Sequence, residues 1–434
     1  MDLSRHNILS GIHQSDEYFI VNLLSGNADI LSQEEGKLIL GNQIPPDAEF
    51  INKGYVVDIL EETRLFRKRY LDFLDSRDTD EIQLFYAPTY ACNFGCSYCY
   101  QNGYDVQSAI SGTETAEAFF KYVAANFNSR KKYVTLFGGE PLLPDNKTKL
   151  FLEYFVDRCK ELNLDLAIVT NGYHLKDYLP VLTKTRIREI QVTLDGPEEI
   201  HNARRPLKGG KASFDRIVEG IDAAIASGIP VNLRVVIDRE NISSLPALAA
   251  YAISRGWTSS PLFKTQLGRN YELHYCQSQQ SRLYSRIELY RDLYNLINQY
   301  PELLQFHKPA YSVSKFLFEN GELPEPLFDS CPGCKTEWAF DYTGRIYSCT
   351  ATIGKPGEEL GTFYPEVHLD INKVSTWQQR DIISIPSCTS CNLRLACGGG
   401  CASVAFNKEQ TLNAPDCRPV RELLELGIAL YRDV

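Results

Sequence analysis

No apolar run in the 434 residues approaches the roughly 18–20 needed to cross a bilayer. The first residues, MDLSRHNILSG, also lack the basic-then-apolar order of a secretion signal. Positive charge is not in surplus either. Lys and Arg number 45 against 55 Asp and Glu, a net charge of −10, which excludes a general electrostatic attraction to nucleic acid or to anionic membranes. The basic run Arg64, Arg67, Lys68 and Arg69 falls within a predicted helix and reads as a solvated face. The expectation is a cytoplasmic protein with neither nucleic acid nor membrane as partner. Hydrophobic residues at 44% and charged residues at 23% are ordinary for a globular fold, and the length suggests about three domains.

What the chain does have is cysteine, 13 in all. The cytoplasm keeps thiols reduced, so metal or cluster binding accounts for them better than disulfides do. Cys159 and Cys276 stand outside any clustered motif and read as small core side chains. Cys92, Cys96 and Cys99 lie in residues 90–100, YACNFGCSYCY, spaced Cys-x3-Cys-x2-Cys. Three thiolates on one tight loop can hold three corners of a cubane iron–sulfur cluster. A fourth cysteine at motif spacing is missing, which leaves one iron open to a substrate or cofactor. The loop follows an apolar stretch of strand character, residues 82–88. It therefore sits at a strand's C-terminal end, the face on which parallel α/β barrels build their active sites.

With Tyr98 between the last two cysteines, this motif resembles the signature of the radical S-adenosylmethionine (SAM) enzymes. The resemblance implies that SAM chelates the open iron through its amino and carboxylate groups. It implies further that an electron from the cluster cleaves SAM to a 5′-deoxyadenosyl radical, so a reducing partner such as a flavodoxin or ferredoxin is required.

The remaining chain is organised around that loop. From residue 81 to 266 strand-like segments at 82–87, 133–137, 166–170, 190–194, 232–237 and 262–266 alternate with helical stripes. One stripe is Ala116, Phe119, Phe120, Val123 and Phe127. Another is Phe214, Ile217, Val218, Ile221 and Ile225, with Ser213 placed to cap it. Six β-α units imply a parallel sheet with right-handed crossovers, and a partial (β/α)6 barrel is the architecture that the family resemblance implies. Residues 1–80 read as a small separate α+β unit: a hairpin about Ser25-Gly26-Asn27, a short strand near 55–59 and a helix over 61–76. It resembles the peptide-binding domains that capture a leader peptide as an added strand; the alternative is a packing extension that shields the barrel. Residues 267–325 form a mostly helical bridge containing His274, His307 and Cys276, to which no chemistry is assigned.

Strand ends carry further matches to the same family. Gly138, Gly139, Glu140 and Pro141 follow the second strand. Glycines allow close backbone approach to a ligand and a Glu accepts hydrogen bonds from an ammonium group; the resemblance assigns this segment to the amino group of SAM. Thr170-Asn171-Gly172 ends the third strand, where an ordinary turn is the competing reading. Thr193-Leu194-Asp195-Gly196-Pro197, followed by His201, Arg204 and Arg205, resembles the segment and downstream Arg that hold the SAM ribose and carboxylate. Which Arg pairs with the carboxylate stays open. Arg234 and Asp238 are further candidates at the fifth strand's end.

Beyond residue 326 the cysteines return, as Cys331, Cys334-x9-Gly344-x4-Cys349, then Cys388-x2-Cys391-x5-Cys397-x3-Cys401, then Cys417. This resembles the SPASM domain of radical SAM maturases. Eight thiolates suffice for two fully ligated [4Fe–4S] clusters, making three with the first; a pair of structural zinc sites is the alternative. By analogy with that family, Cys331, Cys334, Cys349 and Cys401 hold one auxiliary cluster, and Cys388, Cys391, Cys397 and Cys417 the other. The resemblance implies a peptide or protein maturase. Sulfatase-maturing relatives carry an Asp after the third cysteine of the first auxiliary group, whereas Cys349 is followed here by Thr350. That favours a ribosomally made precursor peptide, crosslinked or epimerised, over formylglycine formation on a folded protein or small-molecule chemistry. A non-catalytic zinc- or cluster-stabilised scaffold is the reading from another class. No residue is assigned as catalytic acid or base.

Overall fold

A computed structural model describes residues 1–103, 110–270 and 282–432. Cys276 and His274 lie outside the described residues. The six predicted strands form, as β6 (Ile82–Ala87), β7 (Lys132–Leu136), β8 (Asp165–Thr170), β9 (Ile187–Thr193), β10 (Val231–Ile237) and β11 (Phe263–Arg269). They pair in parallel in that order. Alternation along β6 shows why the sheet is covered on both faces. Ile82, Leu84 and Tyr86 enter the large core under the helices, while Phe85 and Ala87 join a second cluster on the opposite face with Tyr90, Phe137, Ala339, Tyr347 and Ile353. All five strands from β6 to β10 end at the same edge, and the loops that leave it carry the candidate site.

The helical stripes pack as predicted, with Phe119, Phe120, Val123, Ile217, Val218 and Ile221 in the main core. Cys159 is fully buried there. The cap of helix Phe214–Ala226 is not the one expected. The Ser213 hydroxyl donates to the Arg205 carbonyl at 2.9 Å, and Asn202 Oδ1 accepts from the amides of Ser213 and Phe214 instead. Periodicity could place the helix, but the capping side chain comes from a preceding helix.

The cysteine-rich segment is not separate from the barrel. Its strand β12 (Glu337–Asp341) pairs in parallel with β6 and turns at Gly344 into antiparallel β13 (Arg345–Tyr347), followed by β14 (Gly361–Thr362) and β15 (His368–Leu369). One sheet of ten strands therefore runs through both units.

The N-terminal unit is richer than a hairpin. Strands β2 (Asn7–Gly11), β3 (Tyr18–Asn22) and β4 (Asn27–Leu31) form an antiparallel meander, and β1 (Asp2–Leu3) pairs with β5 (Val56–Val57). Helix Gln33–Leu40 opens on a capping box between Ser32 and Glu35. Helix Ile59–Thr79 turns Phe66, Tyr70 and Phe73 inward and leaves Arg64, Arg67 and Lys68 exposed. Ile8, Phe19 and Val21 share a core with Leu395, Cys397, Leu424 and Ile428 near the C-terminus. The unit is anchored to the cysteine-rich segment rather than tethered beside it.

Because β12 covers β6, a chain cut at residue 326 leaves β6 as a long apolar edge open to intermolecular pairing. Such a truncation is expected to aggregate in size-exclusion chromatography; a soluble monomer would contradict the continuous sheet.

Candidate active site and cysteine array

The cysteine loop after β6 is stitched to two other strand ends through its backbone. On one side the Gly95 amide donates to the Pro206 carbonyl at 2.9 Å, Ser97 to Arg204 at 3.0 Å, and Lys208 to Asn93 at 2.7 Å. On the other, the amides of Gly139 and Glu140 donate to Thr89 and Ala91 at 3.0 and 2.8 Å. The glycines are required here by the protein's own packing. A Cβ on Gly139 would lie 2.1 Å from the Ala91 carbonyl oxygen, so it is the cysteine loop itself that approaches too closely for a side chain. Gly138 has φ +131° and faces the Thr89 carbonyl.

Glu140 has protein partners of its own. Its carboxylate is buried and accepts from Thr170 Oγ1 at 2.6 Å and from the amides of Asn171 and Leu142 at 2.6 and 2.8 Å. A carboxylate has about four acceptor positions, so little capacity is left for an ammonium group. Burial pushes its pKa up, against the pull of those three donors. Glu140 therefore braces the second strand end to the third, where Asn171 Nδ2 in turn donates to Asn93 Oδ1 at 2.7 Å inside the cysteine motif.

Tyr98 is the hub on the opposite side. Its hydroxyl donates to Asp195 Oδ2 at 2.5 Å and accepts from Arg205 Nη1 at 2.6 Å. Asp195 accepts from the Val236 amide through its other oxygen, and the Asp195 amide donates to His201 Nδ1. Thr193 closes β9 beside Arg234. The two arginines have separate fates. Arg204 makes a bidentate pair with Asp238 at 2.9 and 3.0 Å, while burial raises the Asp238 pKa and this pair outweighs it, holding the carboxyl low. Arg282, not foreseen from sequence, adds a second cation to Asp238 and reaches the Ser97 hydroxyl at 3.3 Å. Arg205 is 8% exposed, and its Nε is buried with no hydrogen-bond partner.

These features fit the group the motif implies. Asn93 Nδ2, His201 Nε2 and Arg205 Nε are buried polar atoms lacking partners in the protein alone, and a polar, charged ligand would satisfy such atoms. Burial raises the Cys92 thiol to about 12, helped by Glu140, Cys96 and Cys99. Iron binding would compensate that cost by taking the thiolate form.

The C-terminal thiols fall into two sets. Cys334 and Cys349 stand at the open ends of the β12–β13 hairpin, where the Cys334 amide donates to the Ser348 carbonyl at 3.2 Å. The x9-Gly-x4 spacing is thus a hairpin that brings its ends together. Burial raises Cys349, Cys334 and Cys401, and each is raised further by Cys331; Cys401 also raises Cys349. Burial likewise raises Cys388 and Cys417, with Cys391 and Cys397 adding to both. The structure thus brings Cys331, Cys334, Cys349 and Cys401 near one another, and Cys388, Cys391, Cys397 and Cys417 near one another. Gly398, Gly399 and Gly400 all have positive φ, near +62°, +75° and +70°, a left-handed run that lets the chain pass from Cys397 to Cys401.

Residues 86–252 match the profile described as Radical SAM superfamily. The class of this segment is thereby defined: residues 86–252 carry a radical SAM domain, of the superfamily that uses a [4Fe–4S] cluster and SAM. More particularly, the chain is similar to two solved structures over most of its length. One is native anSMEcpe with bound AdoMet and the Cp18Cys peptide, with a TM-score of 0.63, 18% identity, and coverage of 82% of this chain and 100% of that one. The other is Streptococcus suis SuiB bound to precursor peptide SuiA, with a TM-score of 0.56, 14% identity, and coverage of 96% and 98%. Curated relatives match a little over a third of the chain. GTP 3′,8-cyclase of Nautilia profundicola is 29% identical over 175 residues, 39% of this chain and 52% of the relative. A probable GTP 3′,8-cyclase of Saccharolobus islandicus is 34% identical over 157 residues, 35% and 47%. The chain spans about half the length of the curated relatives it matches.

Gly139→Ala is expected to displace the cysteine loop and to cost the protein its first cluster alone. Iron per anaerobically prepared chain should fall from about 12 to about 8; unchanged iron would show that the loop does not depend on this contact.

Proposed function

We propose that this enzyme is a maturase of a ribosomally made precursor peptide, forming a thioether or carbon–carbon crosslink or epimerising a residue. The observation that carries the reading is the pairing of two four-thiol sets with a radical SAM domain in one continuous sheet. When bound, the cluster and SAM supply hydrogen abstraction from an unactivated carbon, and the protein positions both partners. In this reading Cys92, Cys96 and Cys99 hold the first cluster, and the C-terminal sets hold the two auxiliary ones.

Arg205 is the residue we assign to the SAM carboxylate, because Arg204 is already neutralised by Asp238 whereas Arg205 has an unpartnered Nε. Asp195 and Tyr98 orient it. The sheet face opposite the helices is apolar around Phe85, Phe137 and Tyr347 and polar farther along, where Gln191 and Gln266 bond to each other at 2.7 Å. A mixed surface of this kind suits a peptide. The N-terminal meander adds a candidate docking edge at β4, whose Ile30 is 45% exposed. Structures of similar fold include ones described with a precursor peptide or another peptide bound, which favours the same class of substrate.

A small-molecule reading is favoured by the cyclase names of the curated relatives, although their likeness covers only 39% and 35% of this chain. Formylglycine formation is disfavoured by Thr350, which offers no carboxylate; its amide donates to Glu337 Oε1 at 2.9 Å.

Mass spectrometry of a short precursor encoded beside this gene, after co-expression, tests the proposal. A loss of two hydrogens, or an unchanged mass with exchanged deuterium, is expected; turnover of GTP with no change in the peptide would overturn it. Arg205→Gln should weaken SAM binding by about tenfold to a hundredfold, the worth of a charge-assisted contact, in equilibrium binding to the cluster-loaded protein. Equal affinity would remove Arg205 from the site. Ile30→Lys should weaken precursor binding by about tenfold without lowering Tm; unaltered binding would leave the meander a packing extension.

A further inference from the structure

Arg380 follows helix Ile371–Gln378 and is 0% exposed. Its Nε donates to the Leu412 carbonyl at 2.6 Å, Nη1 to Gly400 at 3.1 Å, and Nη2 to Gly399 and Ala414, both at 2.9 Å. Four of its five N–H groups are thus spent on neutral acceptors. Among the described residues no carboxylate is ion-paired with it. The nearby Asp329 is held by Lys335, whose ammonium also donates to the Arg380 and Cys331 carbonyls at 2.9 and 3.3 Å. Asp329 and Lys335 offset each other, and the neighbouring buried Asp381 is occupied by the Tyr70 hydroxyl and the amides of Ile383 and Ser384, so the Arg380 guanidinium itself has no ion-pair partner.

An uncompensated buried cation is costly, by several kcal/mol even after relaxation, and buried charges are normally paired. The carbonyls it grips show where its partner belongs. Gly399 and Gly400 link Cys397 of one thiol set to Cys401 of the other, and residues 412–414 lead to Cys417. One guanidinium therefore fixes the backbone beside ligands of both sets, in the region that would hold two negatively charged thiolate-ligated clusters.

We propose that Arg380 is a positioning residue and buried counter-cation shared by both auxiliary clusters, holding residues 399–400 and 412–414 in register and raising the clusters' reduction potentials. The inference rests on the reading that the eight C-terminal thiols bind iron–sulfur clusters. Lys can replace the charge but not the planar fork; Gln removes the charge and keeps a donor.

The experiment uses full-length protein carrying Cys92→Ala, Cys96→Ala and Cys99→Ala, so that only auxiliary clusters contribute. Iron content and potentiometric titration followed by electron paramagnetic resonance are measured with Arg380, Arg380→Lys and Arg380→Gln. With Arg380 in place about eight irons per chain are expected; no iron there would sink the cluster reading itself, before any Arg380 variant is considered. Arg380→Gln should lower the midpoint potentials, and Arg380→Lys should restore them while binding less iron than the parent. Parental iron and potentials in Arg380→Gln would overturn the proposal, as would equal potentials in the Gln and Lys variants. Should Arg380→Gln assemble no cluster, recovery of iron and parental potentials in Arg380→Lys would support the charge role, and absence of iron from both would overturn it.

Discussion

The molecule depends on the close backbone contact between the three-cysteine loop and the strand ends on either side of it. Five amide-to-carbonyl bonds fasten residues 89–97 to Gly139 and Glu140 on one flank and to residues 204–208 on the other. A loop rich in thiols has no packing of its own to fix it. Here it borrows rigidity from the sheet, because each partner segment leaves the same edge of a parallel sheet. Gly139 permits the approach, and Glu140 and Tyr98 lock it from opposite sides through buried hydrogen bonds. Loss of any partner would leave the others unsatisfied in a buried site, which costs more than the bond itself contributes.

The same logic extends to the C-terminal array. Strand β12 continues the barrel sheet, so the hairpin ends bearing Cys334 and Cys349 are fixed relative to the first cysteine loop. Tyr90, in the motif, donates to Asp341 at the end of β12 at 2.8 Å. In the proposed reading both arrays hold redox centres, and the continuous sheet fixes their spacing without a flexible linker. The N-terminal meander is packed onto the same assembly through Ile8, Phe19 and Val21.

Much of this was legible before any coordinates. The parallel strands have period-two and continuous apolar signatures, and the cysteine spacings mark the three-cysteine loop and the C-terminal array, whose division into two sets came only from the family analogy. What could not be read is what side chains from distant segments do. Glu140 looked like a ligand to an ammonium group, and only the fold brings Thr170 and the amides of Asn171 and Leu142 to its carboxylate. Ser213 had the right identity and position for a cap, yet Asn202 occupies that role. The tie between β6 and β12 spans some 250 residues, and the partners of Arg380 lie on loops without any periodicity. Non-local pairing leaves no local pattern, so the sheet appeared to end where it continues. The choice between Arg204 and Arg205, open in the sequence, is proposed on the ground that Asp238 pairs with Arg204.

The central claim is that the loop bearing Cys92, Cys96 and Cys99 holds a cluster with one iron free to engage SAM. Its most direct test is the release of 5′-deoxyadenosine from SAM by reduced, anaerobic protein, measured by liquid chromatography with and without precursor peptide. The account predicts release by the native chain and none after those three cysteines are replaced by Ala, with the auxiliary-cluster absorbance retained. Release that survives the replacement, or a native holoprotein that liberates none even with its substrate present, would contradict it.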